Sequence, residues 1–456
     1  MLNQLLVLMF FITLKQKNNM NRIFFLRILI LYTAFSFSQD SIIWNSKKDR
    51  IKIPFELSHN LIIVDVIFNE VKLKMIADTG ADDSILFSLP SNDSILIKET
   101  ELIRIKGVGK NDLIDAYLAK DNTLTIKKIT NVDFDILIVP NQQIDIVNIT
   151  GIQINGILGA SFFEPFLVEI DYVSKNIILH KNSEKVKRKL EKFQSAPITI
   201  ENRKPYVNIP VVLENQPREL KLLLDTGMAD GLWLFENEII KCNDNYFEDI
   251  LGFGLSGVVS GKRSKVKEIL LSDYVIKNAL VSYPAKDYFE GLRISNGRNG
   301  SLGGLFLKRF DWFFDYKNNV VYFKKNKLYD QPFEYNMSGL EIQHKGSQWV
   351  KYEVTALDRK NNEVDKVINL YEKVVNYKYE LKPIYEIYAV RENSPAFRAG
   401  LKEGDQVIKI NGKKAINLKI DYFNDVFTSE AGKEITIVVD RKGRYLTFKF
   451  QLEKVL

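Results

Sequence analysis

The sequence predicts a mainly β protein: two duplicated lobes followed by a C-terminal α+β module. Three observations predict this. Lys74-Met75-Ile76-Ala77-Asp78-Thr79-Gly80-Ala81 recurs as Lys221-Leu222-Leu223-Leu224-Asp225-Thr226-Gly227-Met228, 147 positions on, and Gly156-Ile157-Leu158-Gly159 recurs as Gly300-Ser301-Leu302-Gly303, 144 positions on. Within each copy, short runs rich in Ile, Val, Phe and Leu alternate with Asn, Asp, Gly and Lys clusters, the pattern of strands and turns. After about residue 335 the repeat ends and helix signals appear among the strands. The 456 residues exceed one hydrophobic core, and 46% hydrophobic content with only 12 Pro excludes a disordered or collagen-like chain.

Residues 1–38 read as a secretory leader. From Met20, Asn21 and Arg22 open a basic region, Ile23–Phe37 is apolar apart from Arg27, Tyr32, Thr33 and Ser36, and Ser36-Phe37-Ser38 offers a cleavage site before Gln39. The apolar stretch Leu5–Leu14 fits either a longer leader from Met1 or a true start at Met20. The apolar run is about 15 residues, short of the roughly 20 that a membrane span needs, so cleavage is expected rather than an anchor. The leader carries Lys15, Lys17, Arg22 and Arg27 and no acid, so the net charge of +7 falls to +3 without it, and the hint of a nucleic-acid partner goes with it. Cys242 is the only cysteine, which excludes an internal disulfide. The mature protein is expected outside the cytoplasm, periplasmic or secreted, with no integral membrane span.

The first lobe is expected over 45–182. Leu61–Phe68, Asn69-Glu70 and Val71–Ala77 read as a hairpin running into Asp78-Thr79-Gly80. The second lobe, over 195–327, repeats it with Tyr206–Leu213, a turn at Glu214-Asn215-Gln216-Pro217, and Leu220–Leu224. Between them the charge run Glu184–Lys192 reads as a solvated linker or short surface helix.

One Asp-Thr-Gly is a common turn with an Asx-type hydrogen bond. Two, each after an apolar strand and each followed by a Leu-Gly landmark at 81 or 78 positions, allow the Asp78 and Asp225 carboxylates to meet at a pseudo-twofold axis. Two carboxylates brought that close do not both ionise cheaply.

These motifs resemble the aspartic peptidases of the pepsin and retropepsin class, and the likeness covers about residues 45–327. It implies a bilobal acid-protease β-barrel fold with Asp78 and Asp225 as the catalytic pair. By the same likeness Thr79 and Thr226 cross-link the turns, Gly80 and Gly227 keep the backbone close to the carboxylates, and Gly159 and Gly303 pass beside each active-site loop. No metal or cofactor beyond a catalytic water is implied, polypeptides are the substrates, and one chain holds both acids, so a monomer suffices. Gly107-Val108-Gly109-Lys110 and Gly252-Phe253-Gly254-Leu255-Ser256-Gly257 occupy the positions of substrate-covering flaps, though ordinary hairpin turns explain them as well. Met228 stands where a small residue is usual, and Ser301 replaces a hydrophobic one; both suggest a looser second lobe. Ala81 supplies no hydroxyl to the pair, which predicts activity nearer neutrality.

Over 335–456, Ser394-Pro395-Ala396-Phe397-Arg398-Ala399-Gly400-Leu401-Lys402-Glu403-Gly404-Asp405-Gln406-Val407-Ile408-Lys409-Ile410-Asn411-Gly412 resembles the PDZ domains appended to bacterial envelope proteases. Ser394 caps a one-turn helix, Val407, Ile408 and Ile410 form a buried strand, a helix lies near Lys419–Phe427, and strands at Glu434–Asp440 and Tyr445–Gln451 complete the module. The likeness implies a groove for a peptide terminus or extended segment, with Ser338, Gly339, Leu340 and Glu341 as the loop holding the carboxylate. Gln343–Pro383 reads as an insertion with a helix-like pattern at Val364, Val367, Ile368, Tyr371, Val374 and Val375.

His59, His180 and His344 lie in no His-Glu-x-x-His helix and read as surface residues, which disfavours a zinc peptidase. A Gly-x-Ser-x-Gly elbow is also missing. The expected function is an exported aspartic endopeptidase whose PDZ domain recruits protein substrates. The alternative is a non-catalytic peptide-binding protein that keeps the bilobal groove.

Overall fold

The computed structural model describes residues 41–90, 93–109, 113–140, 151–181, 184–292, 294–355 and 375–456. The leader 1–38, Lys110 and the helix-like pattern over 364–374 lie outside the described residues.

Alternation builds the first lobe. Arg50–Ser58 (β1) buries Ile51, Ile53 and Phe55 and exposes Lys52, Pro54 and Glu56, so one face meets the core. Leu61–Phe68 (β2) pairs with β1 and with Val71–Ala77 (β3), which runs straight into Asp78. Ile85–Leu86 (β4) follows the Asp-Thr-Gly turn. Thr100–Ile105 (β5) and Ile114–Ile126 (β6) form a hairpin, and Ile129–Ile138 (β7) pairs with β6. Gly156–Leu158 (β8) then wedges between β3, to which it is parallel, and β4, to which it is antiparallel. The one-turn helix Ala160–Phe163 (α1) leads to the hairpin Leu167–Asp171 (β9) and Asn176–His180 (β10).

The charge run forms the short helix Glu184–Leu190 (α2), with Val186 and Leu190 buried against Phe313. Lys189 reaches Glu169 Oε1 at 2.5 Å, and the buried His180 ring lies 2.7 Å from the other carboxylate oxygen of Glu169. His180 is therefore a core residue, and His59 is half-buried beside Asp421. Both correct the surface assignment, because each histidine has found a carboxylate partner on packing.

The second copy repeats the first. Gln194–Glu201 (β11) leads to Lys204–Leu213 (β12) and Gln216–Leu224 (β13). Only Glu214 and Asn215 form the turn between β12 and β13; both have positive φ, as a two-residue hairpin requires, so Gln216 and Pro217 belong to the strand and the expected four-residue turn is corrected. Leu232–Leu234 (β14), the long hairpin Phe247–Gly254 (β15) and Gly257–Leu271 (β16), Tyr274–Pro284 (β17), and Arg298–Leu302 (β18) follow. β18 is parallel to β13 and antiparallel to β14, as β8 is to β3 and β4. Gly304–Leu307 (α3), Phe310–Asp315 (β19) and Val320–Lys325 (β20) close the repeat.

The lobes are joined by one sheet in the order β1, β10, β9, β19, β20, β11. At its centre Val168 pairs with Phe314 and Ile170 with Trp312. At the repeat offset of 144 Val168 corresponds to Trp312 and Ile170 to Phe314, so the two pairings exchange under a twofold rotation.

The C-terminal sheet contains Leu340–Thr355 (β21), Val375–Val390 (β22), Gln406–Ile410 (β23), Glu434–Arg441 (β24) and Arg444–Gln451 (β25), with helices Pro395–Ala399 (α4) and Ile420–Phe427 (α5). Ser394 Oγ accepts from Phe397 N, and Gly400, at φ 94°, ends α4 in the left-handed conformation that glycine tolerates. Val407 and Ile410 are buried in β23 while Ile408 is half-exposed. Among the described residues no helix is long and apolar enough to cross a membrane.

Candidate active site

β3 and β13 each end on an aspartate whose amide is held by the neighbouring strand: Asp78 N donates to Leu158 O and Asp225 N to Leu302 O, both at 2.9 Å. Each chain then turns sharply. Gly80 N and Ala81 N donate to Asp78 Oδ1 at 2.7 and 3.2 Å, and Gly227 N donates to Asp225 Oδ1 at 3.1 Å. The turns face one another so closely that a Cβ on Gly80 would lie 2.5 Å from Asp225 Oδ1, and one on Gly227 would lie 2.1 Å from Asp78 Cγ. Any side chain at either glycine would displace the opposite carboxylate.

The threonines lock this arrangement. Thr79 Oγ1 donates to Leu224 O and Thr226 Oγ1 to Ala77 O, both at 2.7 Å. In return Thr79 N donates to Thr226 Oγ1 at 3.0 Å and Thr226 N to Thr79 Oγ1 at 3.1 Å. Four buried hydrogen bonds thus cross from one lobe to the other beneath the carboxylates. Gly159 and Gly303 start α1 and α3 against the same loops: a Cβ would lie 2.5 Å from Asp83 O and 2.4 Å from Asp230 O, respectively.

Burial and the charge of neighbouring Asp225 push the Asp78 carboxyl up to about 8, against the Gly80 and Ala81 amides. Burial raises Asp225 too, while the Arg298 guanidinium and the Gly227 amide favour its ionised form. The pair titrates as one system, and the surroundings bias the proton toward Asp78 and the charge toward Asp225.

The two glycine loops meet one another. Ser256 N donates to Val108 O at 3.0 Å, Gly107 N to Ser256 Oγ at 3.2 Å and Gly109 N to Tyr288 O at 3.2 Å. Gly254 lies against Val108 so tightly that a Cβ would sit 2.0 Å from its carbonyl oxygen. Leu255 packs toward the first lobe with Ile157, Ile85 and Ile105; Val108 packs toward the second with Met228, Trp233, Leu251 and Tyr288. Met228 is therefore a filled core position, and Ser301 is buried with Arg298 donating to its hydroxyl. The second lobe is packed and not loose, which corrects that expectation.

The loop Ser338–Glu341 is placed differently from its expected role. Ser338 N and Gly339 N donate to Asn336 Oδ1 at 3.0 and 3.2 Å, and Leu340 N donates to Ser338 Oγ at 3.0 Å. Ser394 covers Gly339, where a Cβ would meet its Cβ at 2.2 Å. Glu341 is turned toward Asp249, Arg263 and Arg391, and burial beside Asp249 raises it to about 7. The carboxylate-holding assignment is corrected: these amides already have acceptors. The side of β21 away from β22 has no strand partner among the described residues.

Sequence reasoning missed a buried ionic chain. Arg263 joins Asp249 at 2.8 Å to Asp230 at 2.7 Å, and Asp230 also accepts from Trp233 Nε1 and Ser282 Oγ. Arg391, from the end of the C-terminal hairpin, lies 3.6 Å from Asp249. It also missed Arg298, although the repeat alignment sets that residue opposite Ile154 and so flags it as a charge at an apolar position.

A family model described as aspartyl protease matches residues 64–162, and one described as PDZ domain matches residues 386–441. The chain thus carries an aspartyl protease domain, which contains the first Asp-Thr-Gly turn, and a PDZ domain, a peptide-binding module. No curated protein matches the chain.

Proposed function

We propose that the chain is an exported, single-chain aspartic endopeptidase in which Asp78 and Asp225 activate a water molecule against a peptide bond. The observation that carries this reading is the mutual apposition of the two Asp-Thr-Gly turns, locked by reciprocal threonine bonds. Asp78, with its carboxyl raised, acts as the acid that protonates the amide oxygen, and Asp225, favoured as carboxylate, takes the proton from water. No covalent intermediate, metal or organic cofactor is needed. The substrate is an extended polypeptide held beneath the loops around Val108 and Ser256, which must separate to admit it and then exclude water.

The PDZ domain recruits a peptide terminus or extended segment along the open side of β21, where strand addition supplies main-chain hydrogen bonds. The working form is a monomer outside the cytoplasm. Incubating the mature protein with a denatured protein across acidic to neutral pH, and identifying the new termini by mass spectrometry, tests the reading. Internal cleavage blocked by a pepstatin-type inhibitor is expected. Binding of the same polypeptide with no cleavage at any pH would leave the non-catalytic groove instead.

A further inference from the structure

The two lobes superpose in sequence and in hydrogen bonding. Phe87 N donates to Asn155 O at 2.9 Å and Phe235 N to Asn299 O at 2.8 Å; Lys74 N donates to Asn155 Oδ1 and Lys221 N to Asn299 Oδ1, both at 2.9 Å. Ile154 therefore corresponds to Arg298, Ile157 to Ser301 and Ile63 to Tyr206. In the first lobe Ile63, Ile76 and Ile154 pack with Leu61, Ile152 and Phe87 into an apolar wall. Ile157 packs against the same core cluster as the loop residue Leu255. The second lobe holds a guanidinium in the same place.

Arg298 donates from Nη2 to Ser301 Oγ at 2.5 Å and from Nε to Gly300 O at 3.2 Å, and its guanidinium lies 5.3 Å from the centre of the Phe235 ring. All these partners are neutral. Among the described residues no carboxylate comes within ion-pair distance of Arg298: Asp225 and Asp82 act on it from farther off, and Asp82 is already paired with Lys204 at 2.7 Å. The side chain is partly accessible. A largely buried cation whose carboxylate neighbours, Asp225 and Asp82, stand beyond ion-pair distance is costly to hold and gains from an anion that arrives in planar, two-donor geometry. Ser301, two residues before Gly303, pairs with Leu223, two residues before Asp225. The cation thus stands beside the reacting centre.

We propose that Arg298, held by Ser301, is a specificity-determining residue that takes an acidic substrate side chain on one side of the scissile bond, a charge for which its first-lobe counterpart, the core residue Ile154, offers no equivalent. This rests on the peptidase reading for its substrate class. The asymmetry is available because the two lobes belong to one chain and have diverged.

The test uses the full mature chain and a peptide series with Glu, Gln or Leu placed in turn at each residue flanking the cleavage point. At one position only, kcat/KM is expected to favour Glu over Gln by roughly 10- to 100-fold, the worth of a charge-assisted hydrogen bond. The double substitution Arg298→Met with Ser301→Ile, which makes the site apolar as it is in the first lobe, should reverse the preference toward Leu at that position alone; Arg298→Lys, retaining the charge, should keep part of it if the double variant fails to fold. Equal rates for Glu and Gln in the wild type, or a variant that moves only the pH profile, would overturn the proposal and reduce Arg298 to a group tuning Asp225. Fluorescence anisotropy of labelled Glu and Gln peptides separates the two readings. A Glu preference in binding that Arg298→Met removes, with no cleavage, would sustain the pocket and sink the peptidase; cleavage with no Glu preference would do the reverse.

Discussion

Thr79 and Thr226 each donate through the hydroxyl and accept at the same oxygen, so truncating either removes two interlobe bonds and leaves a buried carbonyl and amide unpaired. Thr79→Ala and Thr226→Ala are each expected to lower stability by about 1–3 kcal/mol in denaturant unfolding, with Ser in place of Thr largely preserving it. Asp78 carries a second expectation at this scale. Its carboxyl ordinarily titrates at 3.8 and is raised to about 8 on folding. A raised acid binds its proton more tightly in the folded state, so its contribution to stability is complete below about pH 4 and is lost as pH rises toward 8. Asp78→Asn should therefore melt higher than wild type at pH 8, by at least about 2 °C, with the gap closing under acid. The same proton sets the upper limb of activity, which should fall as pH passes about 8.

At the scale of elements, the hairpins were legible in the sequence because alternation is a direct imprint of a half-buried strand: Ile51, Ile53 and Phe55 announce β1, and Leu61–Ala77 announces β2 and β3. The Asp-Thr-Gly turns were legible because they occur twice. What stayed hidden was decided by residues distant in sequence. The amides of Ser338 and Gly339 read as free donors until Asn336 folds back to accept from both, and His180 reads as exposed until Glu169 pairs with it. The short helix α2 shows the same limit, since its charges mask the two residues that anchor it. At the tips of the two glycine loops, contact is so close that Gly254→Val would collide with Val108 O. That variant is expected to keep the lobes folded, as reported by near-ultraviolet circular dichroism, while lowering kcat/KM by about 10-fold or more through a loop that no longer closes.

Across the whole molecule, one buried chain of charges ties the PDZ domain to the second Asp-Thr-Gly lobe, from Arg391 through Asp249 and Arg263 to Asp230, which hydrogen-bonds Trp233 and Ser282. Glu341 faces this chain with its carboxyl raised from 4.5 to about 7 by burial beside Asp249. The sign is that of a raised acid: its contribution is complete below about 4.5 and lost by about 7, so Glu341→Gln should stabilise the protein at pH 8 and have little effect at pH 4. The likeness between the lobes implies that the pair of acids is assembled within one chain. An equimolar mixture of Asp78→Asn and Asp225→Asn proteins tests it most directly. A dyad built inside one polypeptide predicts that neither variant nor their mixture cleaves a denatured protein above about one-thousandth of the wild-type rate; recovery of activity on mixing would show instead that acids from different chains pair.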